Sequence, residues 1–233
     1  MCFAFHTKER MKMVTREKFD EELSKLQSQL IELKDFAYNA FESAFHAFET
    51  RNVEEALKIM ENDTKADIMY EEIHDSAILL IAKQQPVATD LRQIITTLKI
   101  STDLERIADF AVNVAKSTIR LKDTKLNMNE TINNIRKMYT ISMTMLKEGI
   151  KAFLDVDLKL AKEVAKMDDE VDELYGQTIQ HLFQVNRVQP ENIDNVTQLL
   201  FICRFLERTA DHITNIAENV FYLVKGKHYD LNE

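Results

Sequence analysis

Apolar residues recur at steps of three and four positions along most of the chain, the spacing that places them on one face of an α-helix. The first such stretch covers residues 16–49, where Leu23, Leu26 and Leu30 follow this spacing. Thr15 stands directly before it and is a residue type that favours the N-cap position. The pattern therefore predicts a long amphipathic helix that begins just after Thr15.

Turn-forming residues divide the rest of the pattern into five further long helices. A proline suits the first position of a helix because the N–H that it lacks has no partner there. The predicted helices cover residues 53–83, 86 to about 121, 127 to about 153, 158–185 and 190–225. Arg51 and Asn52 form the turn before the first of these, and Pro86 and Pro190 begin two others. Asn127 forms a capping box with Glu130, and Gly226 is the C′ residue of the last helix. Helices of about 30 residues are about 45 Å long. They must therefore pack side by side as bundles.

The two halves of the chain resemble each other residue by residue, which indicates an internal duplication. Residues 98–115 and 200–217 are identical at nine of eighteen positions, and the earlier parts of the halves match at an offset of 105. The sequence therefore predicts an all-α fold of two tandem three-helix bundles with six long antiparallel helices. The expected parts are an N-terminal extension at 1–13, a first repeat at 14–122, a second repeat at 123–233 and a polar linker at 122–127.

The composition agrees with a helical protein, since 3 glycines and 2 prolines among 233 residues are too few for a β-rich or α/β chain. A formal net charge of −9 and the lack of a basic patch argue against a nucleic-acid partner. The two cysteines, Cys2 and Cys203, fit neither a disulfide framework nor a zinc pattern. No apolar run is long enough to cross a membrane. We therefore expect a cytoplasmic protein without a transmembrane segment.

Four pairs of acidic residues at i, i+4 spacing are the strongest candidates for chemistry. Chance alone produces several such pairs in a chain with 39 acidic residues, but these four recur at equivalent positions of both repeats and interrupt apolar stripes. Carboxylates four residues apart lie about 6 Å from each other on one helix face, where they repel unless a cation compensates. An all-oxygen site suits Fe, Mn, Mg or Ca, with Zn as a further candidate. The predicted metal ligands are Asp63, Asp67, Glu105, Asp109, Asp168, Asp172, Glu207 and Asp211.

Several neighbours of these pairs have an expected role. Arg106 and Arg208 lie three residues before Asp109 and Asp211, where an intrahelical ion pair is favoured over anion binding. Asn113 and Asn215 lie one turn further on the same face and are candidate hydrogen-bond donors. His212 lies beside the second motif without a histidine counterpart in the first repeat, so it is a weaker candidate.

No enzyme signature accompanies the acidic pairs, because the chain has no glycine-rich phosphate loop and no catalytic triad pattern. One Glu-x-x-His occurs, from Glu71 to His74, but carboxylate di-iron bundles require two such motifs. The counterpart in the second repeat begins with Gly176, so we interpret the motif as chance. The prediction is a non-enzymatic protein. An oxidative carboxylate–metal enzyme that depends on Glu71 and His74, and a purely structural helical scaffold, are the alternatives.

Four segments closely resemble the PhoU family of accessory proteins of bacterial phosphate transport. They are Gln-Pro-Val-Ala-Thr-Asp-Leu-Arg at 85–92, Asp-Leu-Glu-Arg-Ile-Ala-Asp at 103–109, Leu-Glu-Arg-Thr-Ala-Asp-His at 206–212 and Tyr-Leu-Val-Lys-Gly-Lys at 222–227. The resemblance runs from about Phe19 to the C-terminus. It implies a non-enzymatic negative regulator that represses the phosphate-starvation response when phosphate is plentiful.

The resemblance also implies partners and a cofactor. The partners would be the ATPase and permease of the phosphate ABC transporter and a sensor histidine kinase, which the protein would link as an adaptor. Family members bind multinuclear metal clusters through Glu/Asp-x-x-x-Asp motifs, which here are the same eight carboxylates. Fe and Zn are favoured over Mn, Mg and Ca. Metal bound there would dock the protein peripherally to the membrane or the transporter, or stabilise the fold.

Two further expectations concern assembly and symmetry. Apolar stripes that a three-helix bundle leaves uncovered favour a homodimer. Thr102 and Asp103 of the first repeat are replaced by Arg204 and Phe205 in the second. We therefore expect the two metal sites to differ in charge and occupancy.

Overall fold

The computed structural model describes the backbone of residues 2–122 and 128–231, with side chains from residue 16 onward in those ranges. Its helices are α1 (Cys2–Thr50), α2 (Val53–Glu61), α3 (Thr64–Gln84), α4 (Thr89–Arg120), α5 (Asn129–Asp155), α6 (Leu158–Val188) and α7 (Ile193–Lys225), with a short 3₁₀ turn at Pro190–Asn192 before α7. The described part of the chain contains no β-strand. The prediction of an all-α fold is confirmed.

The helices form two bundles that repeat the same plan. In the first bundle α1 and α4 pack against each other and against the consecutive helices α2 and α3, and in the second α5, α6 and α7 pack together. The two bundles meet mainly where α4 packs along α7. α4 and α7 therefore lie in the middle of the molecule, and each contacts its own bundle and the other one.

The apolar stripes of the sequence form the core. Leu26, Leu30 and Leu33 on α1 are at most 1% exposed, and Ile202 and Leu206 on α7 are fully buried. Burial of each such side chain contributes about 1.5–3 kcal/mol to the free energy of folding. The periodic pattern therefore predicted the faces of these helices correctly.

The first helix begins earlier than its apolar pattern predicted. α1 begins at Cys2, so Thr15 lies inside the helix and is not its N-cap. Residues 2–14 contain neither glycine nor proline and include alanine, methionine, lysine, glutamate and arginine, which have high helix propensity. A helix continues through such a segment even where it lacks an apolar stripe.

The predicted second helix is two helices in the structure. α2 ends at Glu61 and α3 begins at Thr64. The side-chain amide of Asn62 donates to the carbonyl oxygen of Lys58 at 2.8 Å, and such side-chain bonds compete with the helical backbone ladder. In the second repeat Met167 stands at the position equivalent to Asn62, and α6 continues without a break.

Both helices expected to begin at a proline begin three residues later. α4 begins at Thr89, because Gln85 and Ala88 both adopt a φ of 49° and the chain between them is a loop. After Pro190 the 3₁₀ turn precedes α7. The prolines therefore lie within the connections between helices and are not the first residues of the α-helices.

Other boundaries agree with the sequence. Arg51 in the predicted turn has a φ of 57°, and Gly226 ends α7 with a φ of 67°, which glycine adopts without strain. Residues 123–127 of the predicted linker, including Asn127 of the predicted capping box, lie outside the described residues, and α5 has Met128 as its N-cap.

Within the described ranges, none of the helices has a stretch both long and apolar enough to cross a lipid bilayer.

Candidate metal-binding clusters

The first cluster joins one carboxylate of α3 to two of α4. Oxygen atoms of Asp67, Glu105 and Asp109 all lie within 4.8 Å of one another, and among the residues that the structure describes this is the one group of three potential metal ligands. Glu105 and Asp109 are one turn apart on α4, so they point to the same side, and Asp67 reaches them from the first turn of α3. Three of the eight predicted ligands therefore lie close enough to share one cation.

Electrostatic repulsion is concentrated at this first cluster. Burial raises the pKa of Glu105, and the negative charges of Asp109 and Asp67 raise it further. Burial also raises the pKa of Asp109, to which the charges of Asp63 and Asp67 add. Asp63 precedes α3 as its N-cap residue and is partly buried. The fourth predicted residue of this repeat therefore lies close enough to act on the cluster.

Arg106 partly neutralises the first cluster from its exposed side. Its guanidinium contacts Asp109 at 3.2 Å and Glu105 at 3.4 Å, and 53% of its side chain is exposed. Its positive charge lowers the pKa of both carboxyl groups, against the effect of burial. The predicted intrahelical ion pair is confirmed for this arginine.

The second cluster has the equivalent members, Asp172 on α6 with Glu207 and Asp211 on α7. Burial raises the pKa of Glu207 to about 7, with further upward contributions from the charges of Asp211 and Asp172. Burial followed by the charge of Asp211 also raises the pKa of Asp172. The three carboxylates thus act on one another electrostatically at the interface of α6 and α7, but their oxygen atoms do not all come within 4.8 Å as those of the first cluster do.

An arginine without a counterpart in the first repeat lies inside this second cluster. The Nη1 atom of Arg204 is 2.5 Å from Oε1 of Glu207, one turn along α7. Its charge lowers the pKa of Glu207 and of Asp172. Thr102, its equivalent in α4, donates its hydroxyl to the carbonyl oxygen of Leu98 and carries no charge.

Asp168 occupies a different environment from Asp63, its equivalent in the first repeat. It is 2% exposed, and its Oδ2 accepts a hydrogen bond of 3.0 Å from the hydroxyl of Thr214 on α7. In the first repeat Val112 stands at the position of Thr214 and has no hydroxyl to offer. The structure thus holds Asp168 in the core between α6 and α7.

One polar contact that the sequence analysis did not identify joins the two bundles. Asp103 on α4 accepts hydrogen bonds from Nδ1 of His212 at 2.9 Å and from the side-chain amide of Asn215 at 3.4 Å, both on α7. The charge of His212 also lowers the pKa of Glu105. His212 and Asn215 were expected beside the second cluster. They contact the first bundle instead, and only the replacement of Asp103 by Phe205 hinted at this asymmetry.

The Glu-x-x-His motif lies outside both clusters. Glu71 is exposed, and the ring of His74 packs against Tyr70 at 4.2 Å between ring centroids. Burial lowers the pKa of His74, while the charge of Asp75 opposes this effect. Neither Glu71 nor His74 belongs to the group of three potential ligands.

The carboxylates fit a hard or borderline cation. Oε2 of Glu207 is buried and has no hydrogen-bond partner, and a buried carboxylate oxygen without a partner is costly unless a cation or a donor meets it. In the first cluster, the charges of Asp109 and Asp67 raise the pKa of Glu105, and the charge of Asp67 raises that of Asp109. A divalent cation would supply the positive charge that each group lacks, and oxygen donors of this kind suit Mg, Ca, Mn, Fe and Zn.

Comparison with known proteins gives consistent matches. The family model described as "PhoU domain" matches residues 30–118 and 135–220. A relative in Clostridium acetobutylicum, named "Phosphate-specific transport system accessory protein PhoU homolog", is 38% identical over 221 residues, which are 94% of this chain and 100% of the relative. A relative in Thermotoga maritima, named "Phosphate-specific transport system accessory protein PhoU homolog 1", is 33% identical over 92% of each chain.

Two solved structures share the fold. The crystal structure of PhoU from Pseudomonas aeruginosa has a TM-score of 0.84 and 31% identity, and the match covers 90% of this chain and 100% of that one. The crystal structure of the phosphate transport system regulatory protein PhoU from Streptococcus pneumoniae has a TM-score of 0.85 and 29% identity, over 91% and 99% of the two chains.

Proposed function

The chain belongs to the PhoU family, and from this premise we propose that it regulates phosphate uptake negatively as a metal-binding adaptor. Its relatives are named accessory or regulatory proteins of phosphate transport. The chain thus acts as an accessory protein of the phosphate-specific transport system. It restrains uptake and the phosphate-starvation response when phosphate is plentiful.

The observation that carries the metal-binding part is the convergence of Asp67, Glu105 and Asp109. Three carboxylate oxygens within 4.8 Å of one another repel strongly unless a cation lies between them. The equivalent group in the second repeat, around Glu207, supports the same role. Fe or Zn are the preferred ions, ahead of Mn, Mg and Ca, and several ions per cluster are compatible with the number of carboxylate oxygens.

The bound cations would give each exposed acidic surface a positive centre. Open coordination positions on such a cation bind acidic groups of a partner protein or phosphate groups at a membrane surface. The expected partners are the transporter ATPase and permease and the sensor histidine kinase, which the protein would connect as a homodimer in the cytoplasm. The carboxylates themselves perform no reaction in this account.

The test combines metal content with regulation in cells. Protein purified without chelator is analysed for metals, and expression of a phosphate-starvation reporter is measured in phosphate-rich medium. We expect metal in the wild type, and loss of both metal and repression in the variant E105A/D109A/E207A/D211A. Unchanged metal content and unchanged repression in this variant would contradict the proposal.

A matched control removes acidic residues elsewhere. Glu17 and Glu21 form an exposed i, i+4 pair on α1, and E17A/E21A should retain both metal and repression. An adaptor role predicts that the transporter ATPase co-purifies with the wild type and not with the cluster variant. A purely structural role predicts no such difference. An oxidative enzyme would instead require Glu71 and His74, which do not belong to the group of three potential ligands, so E71A/H74A should leave repression unchanged.

A further inference from the structure

The two carboxylate clusters differ most at one position of the repeat. In the first repeat this position is Thr102, whose hydroxyl is bound to the carbonyl oxygen of its own helix. In the second repeat it is Arg204, whose guanidinium lies 2.5 Å from Oε1 of Glu207. Arg106 contacts the first cluster, and its counterpart Arg208 acts on Glu207. A cation that approaches Glu207 therefore meets, in addition, an arginine for which the first cluster has no counterpart.

The remaining charges increase this difference. Asp63 lies near the first cluster and its charge acts on Asp109, whereas the equivalent Asp168 is buried and accepts a hydrogen bond from Thr214. Besides Arg204, the charge of Arg208 also acts on Glu207. The second cluster thus has two arginines beside Glu207, whereas the first has one arginine and, near Glu105, His212. The second cluster also has one freely approachable carboxylate fewer.

Arg204 is also able to move aside. Its side chain is 45% exposed, while that of Glu207 is 12% exposed, so the arginine closes the cluster from the solvent side. An exposed ion pair of this kind has a modest strength because solvent screens it. A divalent cation can displace it, but only at a higher free concentration than an open cluster requires.

From this geometry we propose that the two metal sites load unequally, and that Arg204 is the positioning residue that weakens the second. The inference rests on the proposed metal-binding function. The first cluster, around Glu105, fills at low free metal, and the second, around Glu207, fills only when metal is more abundant. A single chain therefore responds to two ranges of metal concentration.

The test is a Mn²⁺ titration of the full chain, with free Mn²⁺ followed by electron paramagnetic resonance. The wild type should show two classes of site with dissociation constants at least about tenfold apart. R204T should tighten the weaker class about tenfold, equivalent to about 1.4 kcal/mol, and R204K should stay within about threefold of the wild type. T102R should weaken the tighter class.

Two controls test whether the tighter Mn²⁺ binding expected for R204T arises at the second cluster. In the background E105A/D109A only the second cluster remains, and R204T should tighten that site by the same factor. Lys162 is exposed on α6, about one and a half turns before Asp168, so K162T removes a positive charge from the same bundle without touching the cluster. It should leave both classes unchanged.

The outcomes separate the inference from the function on which it rests. Equal affinities in the wild type, or an unchanged weaker class in R204T, would overturn the unequal loading and leave metal binding intact. An equal shift in K162T would overturn the specific role of Arg204. If neither the wild type nor any variant binds Mn²⁺, the proposed metal-binding function and the inference are both wrong.

Discussion

In the first repeat the chain breaks between α2 and α3 directly before Asp63, whereas in the second repeat α6 runs without interruption past the equivalent Asp168. Asp63 therefore lies at a helix start beside the carboxylate cluster, and Asp168 is fixed in the core by Thr214. The same acidic motif at the same register thus has two environments. A duplicated sequence motif does not guarantee a duplicated site, because a single neighbouring residue changes the number of carboxylates that face the ligand.

The largest expected effect comes from removing one cluster at a time. E105A/D109A should abolish the tighter class of metal site, and E207A/D211A the weaker one. Changes to residues that only support ligands cost about 10–100-fold in affinity, so removal of two ligands should cost about 100-fold or more. Equilibrium dialysis against Zn²⁺ measures both. Loss of the same class in both variants would contradict the existence of two separate sites.

Thr214→Val should produce the largest loss of stability by giving the second repeat the residue of the first. The buried carboxylate of Asp168 loses its hydrogen bond from the hydroxyl, and a bond to a charged group contributes about 1.5–3 kcal/mol. We expect the free energy of unfolding in urea to fall by about 2 kcal/mol. Thr197 donates its hydroxyl to the backbone carbonyl oxygen of Ile193 on its own helix and lies nearer the surface, so the control T197V should stay within about 0.5 kcal/mol of wild type. An unchanged stability of T214V would show that the bond does not hold Asp168.

Glu207 should make the metal-free protein less stable as the pH rises. Its pKa is raised to about 7 in the folded protein from the ordinary value of 4.5, so the folded state binds the proton more tightly than the unfolded state does. This contribution is fully present below about pH 4.5 and is lost as the pH rises through about 7. In EDTA, E207Q should therefore exceed the wild type in stability by about 1 kcal/mol at pH 8, after allowance for solvent screening.

The equivalent substitution in the first repeat, E105Q, tests whether the two clusters respond differently to pH. The pKa of Glu105 is also raised by burial, so E105Q should gain stability in the same direction but by a smaller amount. Urea titrations at pH 5 and pH 8 measure the difference for both variants. A gain for E207Q that is as large at pH 5 as at pH 8 would assign the effect to packing and not to charge.

The last pair of variants tests a feature that the repeats share. Asn52 begins α2 by accepting the backbone N–H of Glu55 at 3.1 Å, and the equivalent Asp157 begins α6 by accepting those of Lys159 and Leu160 at 2.9 and 3.1 Å. Loss of either cap should cost about 1 kcal/mol. Thermal unfolding of N52A and D157A measures both. A much larger loss in one of them would show that the helix starts are not equivalent.

The sequence predicted the helices, their buried faces and the two-bundle plan because those follow from periodic patterns that local physics enforces. It did not predict the break at Asn62, because the apolar pattern continues from α2 into α3 without interruption. It selected the cluster residues from their recurrence, and the replacement of Thr102 by Arg204 already indicated unequal sites.

Contacts between distant helices were beyond the reach of sequence patterns. The bond from Thr214 to Asp168 depends on the register of α7 against α6, and the bonds from His212 and Asn215 to Asp103 depend on how the two bundles meet. Side chains with the same spacing in the sequence face different neighbours once the bundles pack. Position in the repeat therefore predicted which helix carries each residue, but not what each residue contacts.

The most direct test of metal binding at these clusters is an anomalous X-ray difference map from crystals of this chain grown with Mn²⁺. We predict a strong peak between Asp67, Glu105 and Asp109, and a weaker peak beside Glu207 and Asp211. The account would be contradicted if crystals grown at Mn²⁺ concentrations that saturate the protein in solution showed no anomalous peak at either cluster.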